Sequence, residues 1–297
     1  GNNNSNIFNP ADAVLSRGAN MYKPRWYAST TVMMNGEIYI QGGTSGGDVP
    51  EVRQLDGNFR LLSAVNTSAL DPKYPRNFLA PNGRVFGYDI TGLMYYVNPS
   101  GTGTITMAGQ FTSAYVGFAS SAAMFRPGKI LQMGGNSNGA IVIDITGSQP
   151  VVTPTQSMSS QRQWVTATVL PDGRVLATGG SEVYNQLTGV NNSAEIWNPA
   201  NGQWTVGASG SRARLDHSTA LLLPDASVLV AGGGAPGPLV NLHAEIYYPP
   251  YLYDASGNFA ARPSIVTAPD TIYQGQAFSV GVGTATTVGY FALRDWR

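Results

Sequence analysis

The sequence predicts an all-β fold, a β-propeller followed by the opening strands of a β-sandwich, and three observations predict it. The chain has 36 Gly and 19 Pro but only 11% charged residues, a composition that suits many short strands joined by tight turns and lacks the charged faces of amphipathic helices. One hairpin pattern recurs along the chain. Most copies of it end in a glycine pair, and the pairs at 134/135, 179/180 and 232/233 lie 45 and 53 residues apart, close to the roughly 50-residue period of kelch-type propeller blades.

The fullest copy runs from Ser211 to Gly234. Leu215, His217 and Thr219 alternate with polar neighbours, Ala220 to Leu223 is apolar, Pro224-Asp225 marks a turn, Val228 to Ala231 is a second apolar strand, and glycines follow. Alternation, a turn and a short β-branched run together read as a hairpin, and the glycines read as a place where backbones crowd. Pro24–Gly43, Gly117–Gly135 and Gln161–Gly180 have the same order of parts, and Pro75–Asp89 has it without the glycine pair. The second half of a blade also recurs, as Ala194–Pro199 before Gly202-Gln203-Trp204 and as Ala244–Pro249. Each repeat therefore reads as four antiparallel strands, the inner ones near an axis and the outer ones more polar.

The ends of the chain depart from this pattern. Ile7–Pro10 and Arg17–Met21 read as outer strands of an earlier blade without its inner hairpin, so about five to six blades are expected over residues 1–255. After Pro249-Pro250-Tyr251-Leu252-Tyr253 the glycine pair disappears, and residues 256–297 read as the beginning of an immunoglobulin-like sandwich, with too few strands to close two sheets.

Lys and Arg total 17 and Asp and Glu total 17, so no net field attracts nucleic acid or an anionic surface. No stretch has the apolar length of a membrane span. With no cysteine in the chain, disulfide and thiolate chemistry of its own residues is excluded. Asn3-Asn4-Ser5, Asn66-Thr67-Ser68 and Asn191-Asn192-Ser193 fit the glycosylation pattern, and with the low charge they suggest an extracellular protein.

Certain stretches are more specific than a glycine-pair hairpin: Arg25–Val32, His217–Asp225, Val228–Gly234 and Ala244–Pro263. In these the chain resembles the galactose oxidase and glyoxal oxidase group of extracellular copper radical oxidases, which join a seven-bladed kelch propeller to a small immunoglobulin-like domain. The resemblance implies oxidation of a small alcohol, aldehyde or carbohydrate at one copper ion, with dioxygen reduced to hydrogen peroxide. It implies that Tyr27 is the radical tyrosine and an equatorial ligand, that His217 is the first histidine ligand, and that Arg76 lies near the substrate-contacting arginine. Asp216 stands where the group has its axial tyrosine, and a carboxylate is an oxygen donor to Cu(II). The group's cysteine partner and second histidine have no match in this chain, so the resemblance implies weak copper binding by it. A propeller that has lost catalysis and serves as a binding or structural module is the alternative expectation.

Simpler roles stand beside these. Tyr27 suits strand packing as well as chemistry, and Asp216 suits an ion pair with Arg212 or Arg214. His243, beside Ala244-Glu245-Ile246, reads as structural, Trp164, Trp197 and Trp204 read as core, and Asn35-Gly36, Asn82-Gly83 and Asp172-Gly173 read as hairpin turns.

Overall fold

The computed structural model describes residues 1–234, 241–262, 264–273 and 275–283. Five antiparallel sheets follow one another along the chain as the blades of a propeller. Blade 1 comprises Ala28–Val32, Ile38–Gly42, Glu51–Arg53 and Phe59–Leu61; blade 2 comprises Arg76–Leu79, Val85–Tyr88, Leu93–Asn98 and Thr104–Gln110. Blade 3 comprises Ser120–Arg126, Lys129–Gly134, Ala140–Asp144 and Val151–Thr155, and blade 4 comprises Thr166–Val169, Val175–Thr178, Ser193–Asn198 and Gln203–Ser209. Blade 5 has three strands among the described residues, Asp216–Leu222, Val228–Gly234 and Ala244–Tyr247. Among the described residues, helix is limited to the single 3-10 turns Ser113–Tyr115 and Pro250–Leu252. In every blade the strands pair in sequence order, and the first strand is innermost, because first strands of neighbouring blades touch each other.

The core lies between blades rather than within any one of them. Side chains of a strand point alternately to its two faces, and each face packs on a different neighbour. In blade 2, Val85, Tyr95 and Val97 pack with Tyr39, Val52 and Leu62 of the blade 1 repeat. The intervening Phe86, Tyr88 and Tyr96 pack with Ile130, Ile141 and Ile143 of blade 3. The same division holds in blade 4, where Val175, Ala177 and Trp197 face blade 3 and Leu176, Ala194 and Ile196 face Val228 and Val230 of blade 5. Strands buried on both faces need apolar runs without alternation, and this is why second strands such as Val175–Thr178 and Val228–Gly234 begin with consecutive apolar residues.

The glycine pairs join successive blades. A Cβ on Gly134 would lie 2.6 Å from the Arg162 carbonyl oxygen, and one on Gly179 would lie 2.5 Å from that of Arg214. The second glycine of each pair donates its N–H to the same carbonyl, Gly135 to Arg162 O at 3.0 Å and Gly180 to Arg214 O at 2.8 Å. A ladder of this kind explains why the pair recurs at blade spacing.

Arginines two or three residues before the left-handed strand entries form a second recurring device. Arg25 donates to Gly42 O, Val49 O and the Glu51 carboxylate. Arg162 donates to Gly179 O, Ser193 O and Glu195. Arg214 donates to Gly232 O, His243 O and Glu245. Each guanidinium thus ties the start of its blade to the second and third strands.

Outside the blades, Asn6–Asn9 pairs with Val14–Arg17 as a separate two-stranded sheet, in the stretch expected to be outer strands of an earlier blade. Ile265–Thr267 pairs with Gly281–Val282 in the C-terminal segment. The remainder of the expected sandwich start, 284–297, lies outside the described residues.

Candidate functional site

The inner strands enter their blades through residues whose backbone is left-handed. Tyr27 has φ 65°, Tyr74 φ 49°, Trp164 φ 65° and His217 φ 62°. None is glycine, and each such residue costs about 1–3 kcal/mol of strain, a cost that the surrounding structure must offset and that concentrates at functional sites. Each stands at or within two residues of the start of its inner strand. The Tyr74 N–H donates to Tyr27 O at 3.0 Å and the Trp164 N–H to Ala119 O at 2.8 Å, so the entries of neighbouring blades are tied to each other.

These entries surround a pocket of about 400 Å³ lined by, among others, Tyr74, Arg76, Phe118, Trp164, Asp216 and His217. Tyr27 stands beside it with its ring 4.7 Å from that of Tyr74. The aromatic wall continues from Tyr74 to Phe118 at 5.1 Å, from Phe118 to Trp164 at 5.5 Å, and from Trp164 to Tyr184 at 5.5 Å. The structure therefore brings Tyr27, Arg76, Asp216 and His217 to one end of the propeller. His243 is elsewhere in its role: its backbone carbonyl accepts from Arg214 and its side chain is exposed.

The polar groups differ in what they are free to do. The His217 side chain is 74% exposed, and its Nδ1 lies 3.7 Å from Asp216 Oδ2. Asp216 does not pair with Arg214, which is committed to Glu245 at 2.8 Å. The Arg76 guanidinium is occupied by backbone: Nη1 donates to Tyr74 O, and Nη2 reaches Gly117 O, Phe118 O and Ser120 O. It lines the pocket while holding the 117–120 loop of blade 3 in place, and burial pushes its pKa down against the opposing pull of Tyr88 and Asp89. Burial pushes the Tyr74 phenol well above the usual tyrosine range, and nearby Tyr27 and Asp216 push it the same way. Tyr184 is raised first by burial and then by Asp216 and Tyr27, so the pocket disfavours further negative charge.

Among the described residues, no group of three or more His, Cys, Asp or Glu side chains gathers as a metal cluster. A metal at this end would draw on phenols as well. Tyr27, Asp216 and His217 offer the oxygen and nitrogen donors that Cu(II) accepts, with one imidazole among them, and the exposed His217 ring is available to bind.

Four residues of this site are not picked out by the sequence: Tyr74, Phe118 and Tyr184 belong to no chemical motif, and Trp164 reads as core. Trp164 had a usable signal, since it follows Arg162 by two residues as Tyr27 follows Arg25. Trp197, also read as core, is buried between blades 3 and 4.

No protein-family model matches the chain. Sequence comparison finds relatives over most of it. The chain is similar to galactose oxidase. It is 27% identical to the galactose oxidase of Gibberella zeae over 91% of its own length and 45% of the relative's. It is 25% identical to the aldehyde oxidase GLOX of Vitis pseudoreticulata, over 89% of this chain and 57% of that protein. Among solved structures it superposes on a fungal alcohol oxidase of the AA5 family in complex with copper, with a TM-score of 0.87 and 24% identity. That match covers 96% of this chain and 66% of the other, and it shows the fold. The chain thus spans about half the length of the curated galactose oxidase and aldehyde oxidase that it matches.

Proposed function

We propose that this chain is the propeller of an extracellular, galactose oxidase-like copper enzyme that oxidises a primary alcohol, aldehyde or carbohydrate with dioxygen as acceptor. The observation that carries the reading is that Arg76, Asp216 and His217 line one pocket and Tyr27 stands beside it against Tyr74, with Tyr27 and His217 held in strained backbone. In this reading His217, Tyr27 and Asp216 would hold the metal. Copper, when bound, supplies the one-electron redox partner that the protein's own side chains lack. The Asp216 carboxylate would accept the substrate hydroxyl proton, as a weaker acceptor than a phenolate. Arg76 fixes the loop that carries Phe118, and the aromatic wall excludes water from one side of the pocket. Residues 256–297 are read in the same proposal as the start of an immunoglobulin-like domain.

A second reading, a non-catalytic binding module, is favoured by one observation, that the Arg76 Nη groups are spent on backbone carbonyls, and it agrees with the resemblance, which puts a phenol where this chain has Asp216. Titration of the purified chain with Cu(II), followed by electron paramagnetic resonance, separates the two. The expected spectrum shows weakly bound Cu(II) with nitrogen coupling that His217→Ala removes, and Tyr27-dependent peroxide release from galactose, glyoxal or methylglyoxal is expected from a longer chain that adds a cysteine and a second histidine to the site. Spectra unchanged in both His217→Ala and Tyr27→Phe, together with no peroxide from the longer chain, would sink the oxidase reading. Specific copper binding without peroxide from the longer chain would leave the binding module.

A further inference from the structure

A groove on the outer part of the propeller, between blades 3 and 4, has no part in the axial site. Its volume is about 760 Å³, within the range of pockets that hold small organic ligands. Half-buried Phe125 forms its apolar surface, backed by the buried Trp197, whose ring lies 4.9 Å from that of Phe125 in an edge-on arrangement.

The polar lining is richer in free donors than in free acceptors. Gln156 Oε1 already accepts from the Trp204 N–H at 2.8 Å, and Asn201 Oδ1 from the Gln203 N–H at 3.1 Å. Thr155 Oγ1 is spent as well, donating to Gly202 O and accepting from Trp197 Nε1. Among the described residues this leaves the Gln156 and Asn201 amide nitrogens and the Arg126 guanidinium as free donors, and the Gln203 side-chain amide and the Thr153 hydroxyl as groups that can both donate and accept. Lys129 is paired with Asp144, so the exposed Arg126 is the unopposed charge of the groove.

A ligand suited to this lining must offer more acceptors than donors, one of them anionic, and an apolar face. A peptide strand is a poor match because it brings as many N–H groups as carbonyls. Moreover, Pro154 lies in the blade 3 outer strand and removes one of the N–H groups that strand addition needs. We propose that the groove binds an oligosaccharide that carries a carboxylate. The C–H face of one ring packs on Phe125, ring and hydroxyl oxygens accept from the free amides, and the carboxylate pairs with Arg126 through its two parallel N–H groups.

The test titrates trigalacturonic acid into the full chain while following the indole N–H resonances by NMR, assigned by Trp→Phe substitution. The Trp197 and Trp204 signals are expected to shift in a saturable way, and the Trp26 signal, at the axial end, is expected to stay. Arg126→Ala should weaken binding at least tenfold and Gln203→Ala severalfold, with both variants keeping the wild-type spectrum in the absence of sugar. The uncharged trisaccharide cellotriose should bind at least tenfold more weakly. The proposal is overturned by no shift at millimolar sugar, by shifts that Arg126→Ala leaves intact, or by inorganic phosphate competing as well as the saccharide does.

Discussion

His217 combines a left-handed backbone with a side chain that packs on little, since 74% of the side chain is exposed. Nothing in the folding of blade 5 asks for histidine there. Glycine would remove the strain, because left-handed backbone costs an L-residue roughly 1–2 kcal/mol, and little packing would be lost. His217→Gly should therefore be more stable than His217→Ala, which keeps the strain, by about 1 kcal/mol, while both lose the imidazole. Equal melting temperatures for the two variants, or a more stable alanine, would remove the argument that stability is given up at this position. The family resemblance singles out Tyr27, Arg76, Asp216 and His217; that they share one end follows from repeat register, because they sit at strand entries or inner strands of the repeat. Tyr74, Phe118 and Tyr184 carry no such signal, because each comes from a different blade or loop and nothing local in sequence marks rings that meet only between neighbouring blades. The pairing of Arg214 with Glu245 rather than Asp216 was hidden for the same reason: the partner is 31 residues away, in the third strand.

Each blade was legible as an element because its hairpin turn, apolar runs and closing glycines all point to one structure, and such agreement between local signals is what makes a sequence specify a fold. The Arg–Glu clasps show what periodicity does not reveal. Arg162 and Glu195 are fully buried, with side chains 0% and 1% exposed, and meet at 2.7 Å. Glu195 also accepts from Ser159 N and Oγ, so the carboxylate gathers three segments of the blade 4 repeat. Removing one member leaves a desolvated charge, which costs about 3–5 kcal/mol, whereas replacing both with apolar residues of similar volume can be nearly neutral. Glu195→Ala is expected to fall in that range by denaturant unfolding, and Arg162→Met with Glu195→Leu is expected to recover most of the loss. A small effect of Glu195→Ala would mean that Arg162 finds another partner. The same pair in blade 1, Arg25 and Glu51, is equally buried, and the Glu51 carboxylate also receives the Tyr22 N–H at 2.7 Å. It gives an independent replicate of the experiment.

At the scale of the whole molecule, the five blades are packed face to face, so the pH limits of the fold depend on the groups that this packing buries or pairs. On the acid side, Asp144 is held down to about 2 by its hydrogen bond with Lys129 and by Thr146. Glu245 lies below its ordinary value; burial raises it, and the hydrogen bonds from Ser211 and Arg214 together outweigh that. A carboxyl group with a depressed folded pKa binds protons more readily in the unfolded chain. Its contribution is complete above the unfolded value near 4 and is lost as pH falls toward 2. On the alkaline side, Tyr39, Tyr88 and Tyr95 are raised above the tyrosine range first of all by burial in the interfaces around blade 2. The unfolded chain ionises these phenols near pH 10 and the folded chain does not, so their contribution is complete below pH 10 and is lost above it. Melting temperature should therefore be flat across the neutral range, fall below about pH 4, and fall again above about pH 10. The alkaline limb carries a second readout, phenolate absorbance near 295 nm. The buried tyrosines should ionise only together with unfolding, and Tyr88→Phe, which keeps the ring but gives up the hydroxyl's bond to Gln132, should make the alkaline limb shallower. Three phenols that titrate near pH 10 while the propeller stays folded would show that the blade interfaces admit water, and that the packing described here is looser than the burial of these side chains requires.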